Sequence, residues 1–422
     1  MEKLLRNIKR LVPSNIFRLL QPLYHFTLAF LAAVYYRFPS RHIRVVVITG
    51  TKGKTSTTEI VNSILEEAGF RTALSGTLRF KIGETEVQNL YKMTTPGRFF
   101  VQRFLRRAVE AKCGWAVIEM TSEGAKQFRH RFIDMDALIF TNLSPEHIEA
   151  HGSFEKYLDA KVSVARALGR SSKRPRIIVA NKDSEYAGKF LTVPADKKLT
   201  YSTETARPYT LKKYSTTFNF MGKPLQANLS GLFNLSNLLA GITFARAIGI
   251  SSKTIRRATE KFPGVRGRVE RVGGGQDFDV IVDYAHTRDS LEKVYEVFSD
   301  TRKICVFGCA GGGRDKWKRP EMGAIAASSC AEIILTNQDP YDEDPDKIIS
   351  EIVAGMGEVK PTIIMDRRAA IAHALTLAKE GDAVIITGKG ADPYIMGPNG
   401  SRIPWDEVTV VTEELKKLGH SL

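Results

Sequence analysis

The sequence predicts an α/β protein: a doubly wound parallel sheet that carries a phosphate loop, a second open α/β domain behind it, and a short helical segment in front. Three observations carry that prediction. A run of β-branched residues, Val45-Val46-Val47-Ile48-Thr49, ends in the turn Gly50-Thr51-Lys52-Gly53-Lys54-Thr55, and a helical pattern follows from Glu59 to Ala68. Strand and helix signals then alternate as far as Phe262. After a glycine-rich break the alternation starts again and continues to Thr387.

The first element defines a nucleotide site. Glycines at 50 and 53 let backbone N–H groups approach phosphate oxygens, and the following helix points its N-terminus at them. Lys54 would reach the β- and γ-phosphates and the Thr55 hydroxyl would sit on Mg²⁺, with Thr51, Lys52 and Ser56 completing the loop. Ile48 stands where the longer form of this motif has its first glycine, so the loop is the short G-T-K-G-K-T version.

Strands are expected at Ile43–Thr49, Trp115–Met120, Ala137–Thr141 and Arg176–Ala180, with helices near Phe99–Ala111 and Phe154–Leu168. Polar residues follow the strand ends: Glu119, Thr121 and Ser122 after one, Thr141 and Asn142 after another. The carboxyl ends of strands form the ligand crevice in such sheets, so the loop, Glu119 and Asn142 should converge. Beyond Pro263–Arg268 and Gly273-Gly274-Gly275, strands are expected at Asp279–Val282, Lys303–Phe307, Glu332–Thr336, Thr362–Met365 and Ala383–Thr387, a Rossmann-like domain. The domains are therefore read as 1–42, 43–264 and 265–422.

At 422 residues the chain exceeds one core, and 43% hydrophobic with 26% charged residues describes a folded protein. The net charge of +16 calls for an anionic partner. Neither a helix-turn-helix pattern nor a zinc module supports nucleic acid. Cys113, Cys305, Cys309 and Cys330 show no paired spacing, which points to a reducing compartment and structural burial of each.

The first forty residues differ in character. Leu4, Leu5, Ile8, Leu11 and Val12 share a helical face opposite Lys3, Arg6, Lys9 and Arg10. The apolar stretch Leu23–Tyr36 is shorter than the roughly 20 residues a membrane span needs. Two readings stay open: an interfacial anchor, and a helical hairpin packed on the first domain.

Three further groups would complete an Mg-ATP site: Glu119 at a strand end, His147 in Asn142-Leu143-Ser144-Pro145-Glu146-His147, and Lys161 on a helix. Each alone also reads as ordinary structure: a capping carboxylate, a loop histidine, a surface lysine. Together with Thr94-Thr95-Pro96, Thr141–Ser144, Gly231–Asn237, Gly267–Glu270, Asp283–Thr287, Lys318-Arg319-Pro320, Glu343-Asp344-Pro345, Asp366-Arg367-Arg368 and Gly388-Lys389-Gly390, they resemble the Mur ligase family from Arg44 to the C-terminus. The second half is most similar to the branch that adds the third peptide residue.

That resemblance implies an ATP-dependent amide ligase acting on an acidic cell-wall precursor and a free amino acid through an acyl phosphate. It gives Lys54 and Thr55 the triphosphate and one Mg²⁺, Glu119 and His147 a metal, and Lys161 a carbamate near that metal. It implies ATP contacts at Asn237, Arg268, Asp283 and Tyr284. Thr94, Thr95, Ser122 and Arg129 match positions that hold the precursor. Arg314, Asp339, Tyr341, Gly388 and Asp392 match the amino-acid site. It further implies a cytoplasmic enzyme, read here as a monomer, with membrane contact through the N-terminal segment left open.

Two departures stand out. The family usually opens with a domain that grips UDP, and the forty helical residues here are too few for one, so the expectation is either that UDP is held elsewhere or that the acceptor differs, being lipid-linked or lacking UDP. Diaminopimelate-using members carry Asp-Asn-Pro-Arg, whereas this chain has Gln338-Asp339-Pro340-Tyr341, and the later Gly-Lys-Gly-His-Glu becomes Gly388–Asp392. Losing arginine and gaining Asp339 would suit an amine-bearing side chain such as lysine. The competing readings are a γ-glutamyl ligase acting on folate or a polymer, the ligase subunit of an amidotransferase, and a P-loop ATPase without an amine substrate.

Overall fold

The structure, a computed structural model, describes residues 14–420 except His147 and Gly274, with side chains from Leu20 onward. The expected first-helix face (Leu4 to Val12) lies outside the described residues. Two compact units are present. One holds the described residues up to Ser144 with Glu155–Ser202 and Leu239–Ile255; the other holds Pro145–Phe154, Thr203–Leu238 and the chain from Arg256.

The first unit is built on an eight-stranded sheet. Its strands are β1 (Arg44–Thr49), β2 (Thr72–Ser75), β3 (Arg79–Ile82), β4 (Thr85–Gln88), β5 (Trp115–Met120), β6 (Ala137–Phe140), β7 (Ile177–Asn181) and β8 (Lys197–Tyr201), in the order β4-β3-β2-β5-β1-β6-β7-β8. Strands β2, β5, β1, β6, β7 and β8 run parallel. Strand β1 is covered on both faces, which explains its unbroken Val45–Ile48 run, all fully buried. From β1 the chain winds one way to β2, then crosses from β5 to β6 on the other side. The winding reverses beside β1, and ligand crevices open at such reversals.

In the second unit β9 (Tyr209–Leu211), β10 (Thr216–Phe220) and β11 (Lys223–Ala227) form an antiparallel sheet that the alternation pattern did not anticipate. A six-stranded sheet follows, made of β12 (Glu270–Arg271), β13 (Asp279–Asp283), β14 (Lys303–Phe307), β15 (Glu332–Leu335), β16 (Thr362–Ile363) and β17 (Ala383–Thr387), in the order β12-β13-β17-β14-β15-β16. Alternate residues feed two cores, as a pleated strand requires. Ile281, Cys305, Phe307 and Ile385 pack against the helices Arg288–Val297, Lys318–Ser329 and Pro345–Val353. Val280, Val282, Val306 and Ile386 pack against Arg367–Leu377 and Glu407–Lys417. The hairpin β18 (Tyr394–Met396) and β19 (Arg402–Pro404) completes the unit.

One expectation about cysteine needs correcting. Cys113 and Cys309 are buried free thiols, but Cys305 and Cys330 are joined by a disulfide. Strand β14 pairs with β15, and Cys330 lies just ahead of β15, so pairing across neighbouring strands brings together cysteines whose spacing gave no signal.

Candidate active site

The phosphate loop is shaped by glycine. Gly50 has φ +152°, and a Cβ there would lie 1.9 Å from the Thr141 hydroxyl oxygen, so no larger residue fits. Gly53, in the left-handed region at φ 78°, caps the helix Lys54–Glu67. The loop is then tied to the end of β6. The Lys52 N–H donates to Asn142 Oδ1 at 2.9 Å, Asn142 Nδ2 donates back to the Lys52 carbonyl at 3.2 Å, and the Thr141 hydroxyl donates to the same carbonyl at 2.7 Å. Lys54 Nζ donates to the Thr51 carbonyl at 2.9 Å, which holds the ammonium beside the loop backbone.

Glu119, at the end of β5, is 1% exposed. Its Oε1 accepts from the Thr55 hydroxyl at 3.1 Å, and its Oε2 accepts from both the backbone N–H and the hydroxyl of Thr77, each at 2.9 Å. The Thr77 hydroxyl shares a 2.8 Å hydrogen bond with Thr94, and the Thr95 hydroxyl donates to the Glu119 carbonyl at 2.8 Å. Glu119 is thus a buried carboxylate held by hydroxyls, and its reading as a helix cap is set aside. Thr77 has no signal in the sequence, because β2, the strand leading to it, is only four residues long and carries no clear alternation.

Lys161 is likewise no surface lysine: it is 2% exposed, and Nζ donates to the Gly50 carbonyl at 2.6 Å while lying 4.8 Å from the Tyr157 ring centre. The Tyr157 hydroxyl shares a 2.7 Å bond with the Thr51 hydroxyl. Tyr157 and Lys161 are four residues apart on one helix and so share a face, a signal available in the sequence but unused for Tyr157. Ser56 is buried in the first helical turn. His147, the other expected metal ligand, lies outside the described residues.

The donors present suit a hard divalent cation. A carboxylate and a hydroxyl, Glu119 and Thr55, meet beside a phosphate loop, and Mg²⁺ takes oxygen ligands of this kind. Nearby lies a set of cations. Arg129 is buried, donates to the Thr95 carbonyl and the Gln127 side chain, and keeps an Nε with no hydrogen-bond partner. Burial, reinforced by Arg129, pulls the Arg98 pKa down to about 10. Two crowded guanidiniums of this sort favour an anion. Ser122 is buried at the start of the short helix Ser122–Lys126.

The second unit holds the rest of the motif residues. The Arg268 guanidinium stacks 4.3 Å from the Tyr284 ring centre. Asp283, at the end of β13, accepts from the N–H groups of Val269 at 2.7 Å and Ala285 at 2.6 Å. Asn237 is buried and donates to Asn234 Oδ1 at 3.3 Å. Burial lowers the Arg314 pKa, but Tyr284, Tyr341 and Asp339 outweigh it and hold it above the usual arginine value.

Asp339 departs from its expected role. Both its oxygens accept from the Lys389 ammonium at 2.9 Å, and Oδ1 also accepts from the Met396 N–H at 2.7 Å. Lys389 further contacts Asp392 at 3.3 Å and the Tyr394 carbonyl at 2.6 Å. The carboxylate already has its cation, which removes the reason for expecting it to select lysine. Gly388, at φ 102°, approaches the Gln338 amide so closely that a Cβ would lie 2.5 Å from its Oε1.

Several motif residues are scaffold. Arg319, fully buried, binds Glu343 through two parallel contacts of 2.8 and 3.0 Å and Glu351 at 2.6 Å. Hydrogen bonds from Arg319, with Lys316 alongside, hold the Glu343 pKa down to about 2. Asp344 and Asp366 cap helices, and Arg367 pairs with the buried Glu407.

A parallel sheet, a short phosphate loop at its winding reversal, and a buried carboxylate beside the loop threonine define a nucleotide-dependent α/β enzyme. Residues 48–245 match the Mur ligase middle domain, and residues 267–390 match the Mur ligase glutamate ligase domain. The chain is 40% identical over 382 residues to a UDP-N-acetylmuramoyl-L-alanyl-D-glutamate–2,6-diaminopimelate ligase of Syntrophomonas wolfei subsp. wolfei, covering 87% of this chain and 77% of the relative. It is 36% identical over 421 residues to a UDP-N-acetylmuramyl-tripeptide synthetase of Roseiflexus sp., covering 93% and 82%. A solved UDP-N-acetylmuramoyl-L-alanyl-D-glutamate–2,6-diaminopimelate ligase superposes with TM-score 0.60 at 28% identity, over 90% of this chain and 79% of that one. The chain belongs to the Mur ligase family. It is an ATP-dependent ligase that forms a carbon–nitrogen bond between an acid and an amino acid.

Proposed function

We propose that this ligase adds an amino acid to the free carboxylate of an acidic muramoyl-peptide precursor, as the names of its relatives describe for them. The observation that carries the reading is the meeting of Lys54, Thr55, Glu119 and Lys161 around one strand end. Residues 43–264 act as the ATP-binding domain and 265–422 as the amino-acid domain, a division supported by the extents of the matched families.

A carboxylate is a poor electrophile at neutral pH. Its oxygen therefore attacks the γ-phosphorus of ATP first, ADP leaves, and an acyl phosphate forms. The incoming amine attacks that carbonyl, loses a proton and expels inorganic phosphate. Such transfer needs positioning and charge neutralisation more than covalent help. The loop N–H groups and Lys54 hold the triphosphate oxygens. Thr55 and Glu119, with His147, would hold Mg²⁺, which supplies charge neutralisation on the phosphates. Lys161 as a carbamate would add a carboxylate-like group beside them.

Arg129, with its unpartnered Nε, holds the acceptor together with Thr94, Thr95 and Ser122. We assign Arg268, Tyr284, Asp283 and Asn237 to nucleotide binding. Arg314 and Tyr341 line the amino-acid site, with Gly388 and Asp392 beside them. We place the reaction in the cytoplasm, where ATP is, and take the enzyme to be a monomer.

The test is a mass spectrum of the product formed from ATP and mixed amino acids, with UDP-linked and lipid-linked acceptors in parallel. One added residue, dependent on ATP, supports the reading and names both substrates. ATP hydrolysis indifferent to acceptor and amine would reject it.

A further inference from the structure

We propose that the exposed face of the helix Ser14–Tyr35 lies flat on an anionic lipid bilayer. The helix has two faces. His25, Ala29, Ala32 and Ala33 are buried against the helix Arg98–Glu110, with alanines permitting close approach. Arg106 fastens the far end, donating to the Tyr36 carbonyl at 2.8 Å and the Arg37 carbonyl at 3.1 Å. The helix is therefore fixed to the first unit.

The opposite face is apolar where water should demand polar side chains. At 100° per residue, Leu20, Leu23, Phe30, Leu31, Val34 and Tyr35 fall on one side, and all are exposed, Leu23 by 63% and Tyr35 by 73%. Of the exposed residues from Leu20 to Tyr35 none is charged, and Thr27 alone lacks an apolar or aromatic side chain. A contiguous apolar strip of this kind marks a binding surface. No helix among the described residues is long and apolar enough to cross a membrane, so the strip suits the interface, to which the amphipathic rings of Tyr24 and Tyr35 are well matched.

Charge selects the occupant. Residues 1–43 contain seven Lys and Arg (3, 6, 9, 10, 18, 37 and 41) against the single acid Glu2. Arg37, Arg41, Arg103 and Arg107 are exposed on the helix pair and the turn that follows. A second copy would bring these cations against their own kind, because Ser14–Tyr35 has no acidic residue to receive them. An anionic bilayer offers both an apolar layer and phosphate charge. The contact does not depend on the ligase reading.

The test is flotation of the full chain with vesicles of phosphatidylcholine, with and without phosphatidylglycerol. The protein should float with the anionic vesicles, and added salt should release it. Replacing Leu23→Ser, Leu31→Ser and Val34→Ser together should cut binding by at least about tenfold, with the melting temperature and ADP release in solution unchanged. Arg103→Glu with Arg107→Glu should weaken binding to anionic vesicles by a second route. Met221→Ser, an exposed apolar site on β11's hairpin, should have no effect. Absence of flotation, equal binding to neutral vesicles, or full binding by the triple variant would each overturn the proposal. So would a dimer that the triple variant dissolves.

Discussion

Glu119 and Arg319 are both buried, both charged and both part of motifs that mark this family, yet their surroundings differ. Glu119 accepts hydrogen bonds from Thr55 and Thr77 at the edge of the phosphate loop. Arg319 is enclosed by Glu343 and Glu351 and ties the helix Lys318–Ser329 to the loop and helix that follow β15. In the first unit the motif residues gather at strand ends around a loop. In the second, Arg319–Glu343, Arg367–Glu407 and Lys389–Asp339 close on each other. A motif is thus a mark of ancestry, and only its contacts separate chemistry from scaffold.

Substitutions should separate the two regions by what they damage. Lys54→Ala should reduce acceptor-dependent ADP release by about a thousandfold or more, with the melting temperature unchanged. A stability loss instead would move Lys54 into the scaffold class. Arg319→Met should do the reverse, costing about 3 kcal/mol in chemical denaturation because it removes the fully buried cation that joins Glu343 to Glu351. Unaltered stability with lost turnover would make Arg319 part of the chemistry.

Asp339→Asn separates a structural carboxylate from a substrate-selecting one. It leaves Lys389 short of an anion, so stability should fall by about 3 kcal/mol. The KM values of amine-bearing and other amino acids should then shift together. A selective loss of lysine alone would restore Asp339 as the substrate selector. A smaller effect concerns pH. The Glu343 carboxyl titrates near 2 when folded and near the ordinary glutamate value when unfolded, so its contribution is present above that ordinary value. It should be lost as pH falls through about 2, and Arg319→Met should flatten this part of the stability profile.

Much of the scaffold was legible because buried parallel strands read as unbroken apolar runs. All five strands expected after the glycine-rich break are present, and β1, β5, β6 and β7 match their predicted positions within a residue or two. Several short or exposed strands were not legible. Strand β4, exposed along its whole length, lacks the periodic burial that makes a pattern, and the antiparallel β9–β11 sheet is built of strands only three to five residues long, too short for their alternation to stand out. At the site, the loop and Glu119 were readable because chemistry restricts residue type at a strand end. Thr77 depends on a strand too short to signal, and Lys389–Asp339 joins residues fifty positions apart, so neither could be seen in one dimension.

If an acyl phosphate forms, an oxygen of the acceptor carboxylate ends in inorganic phosphate. The direct measurement is one turnover with an acceptor whose terminal carboxylate carries ¹⁸O, followed by mass analysis of the released phosphate. The acyl-phosphate account predicts one labelled oxygen in phosphate for each amide formed. Amide formation with unlabelled phosphate would contradict it.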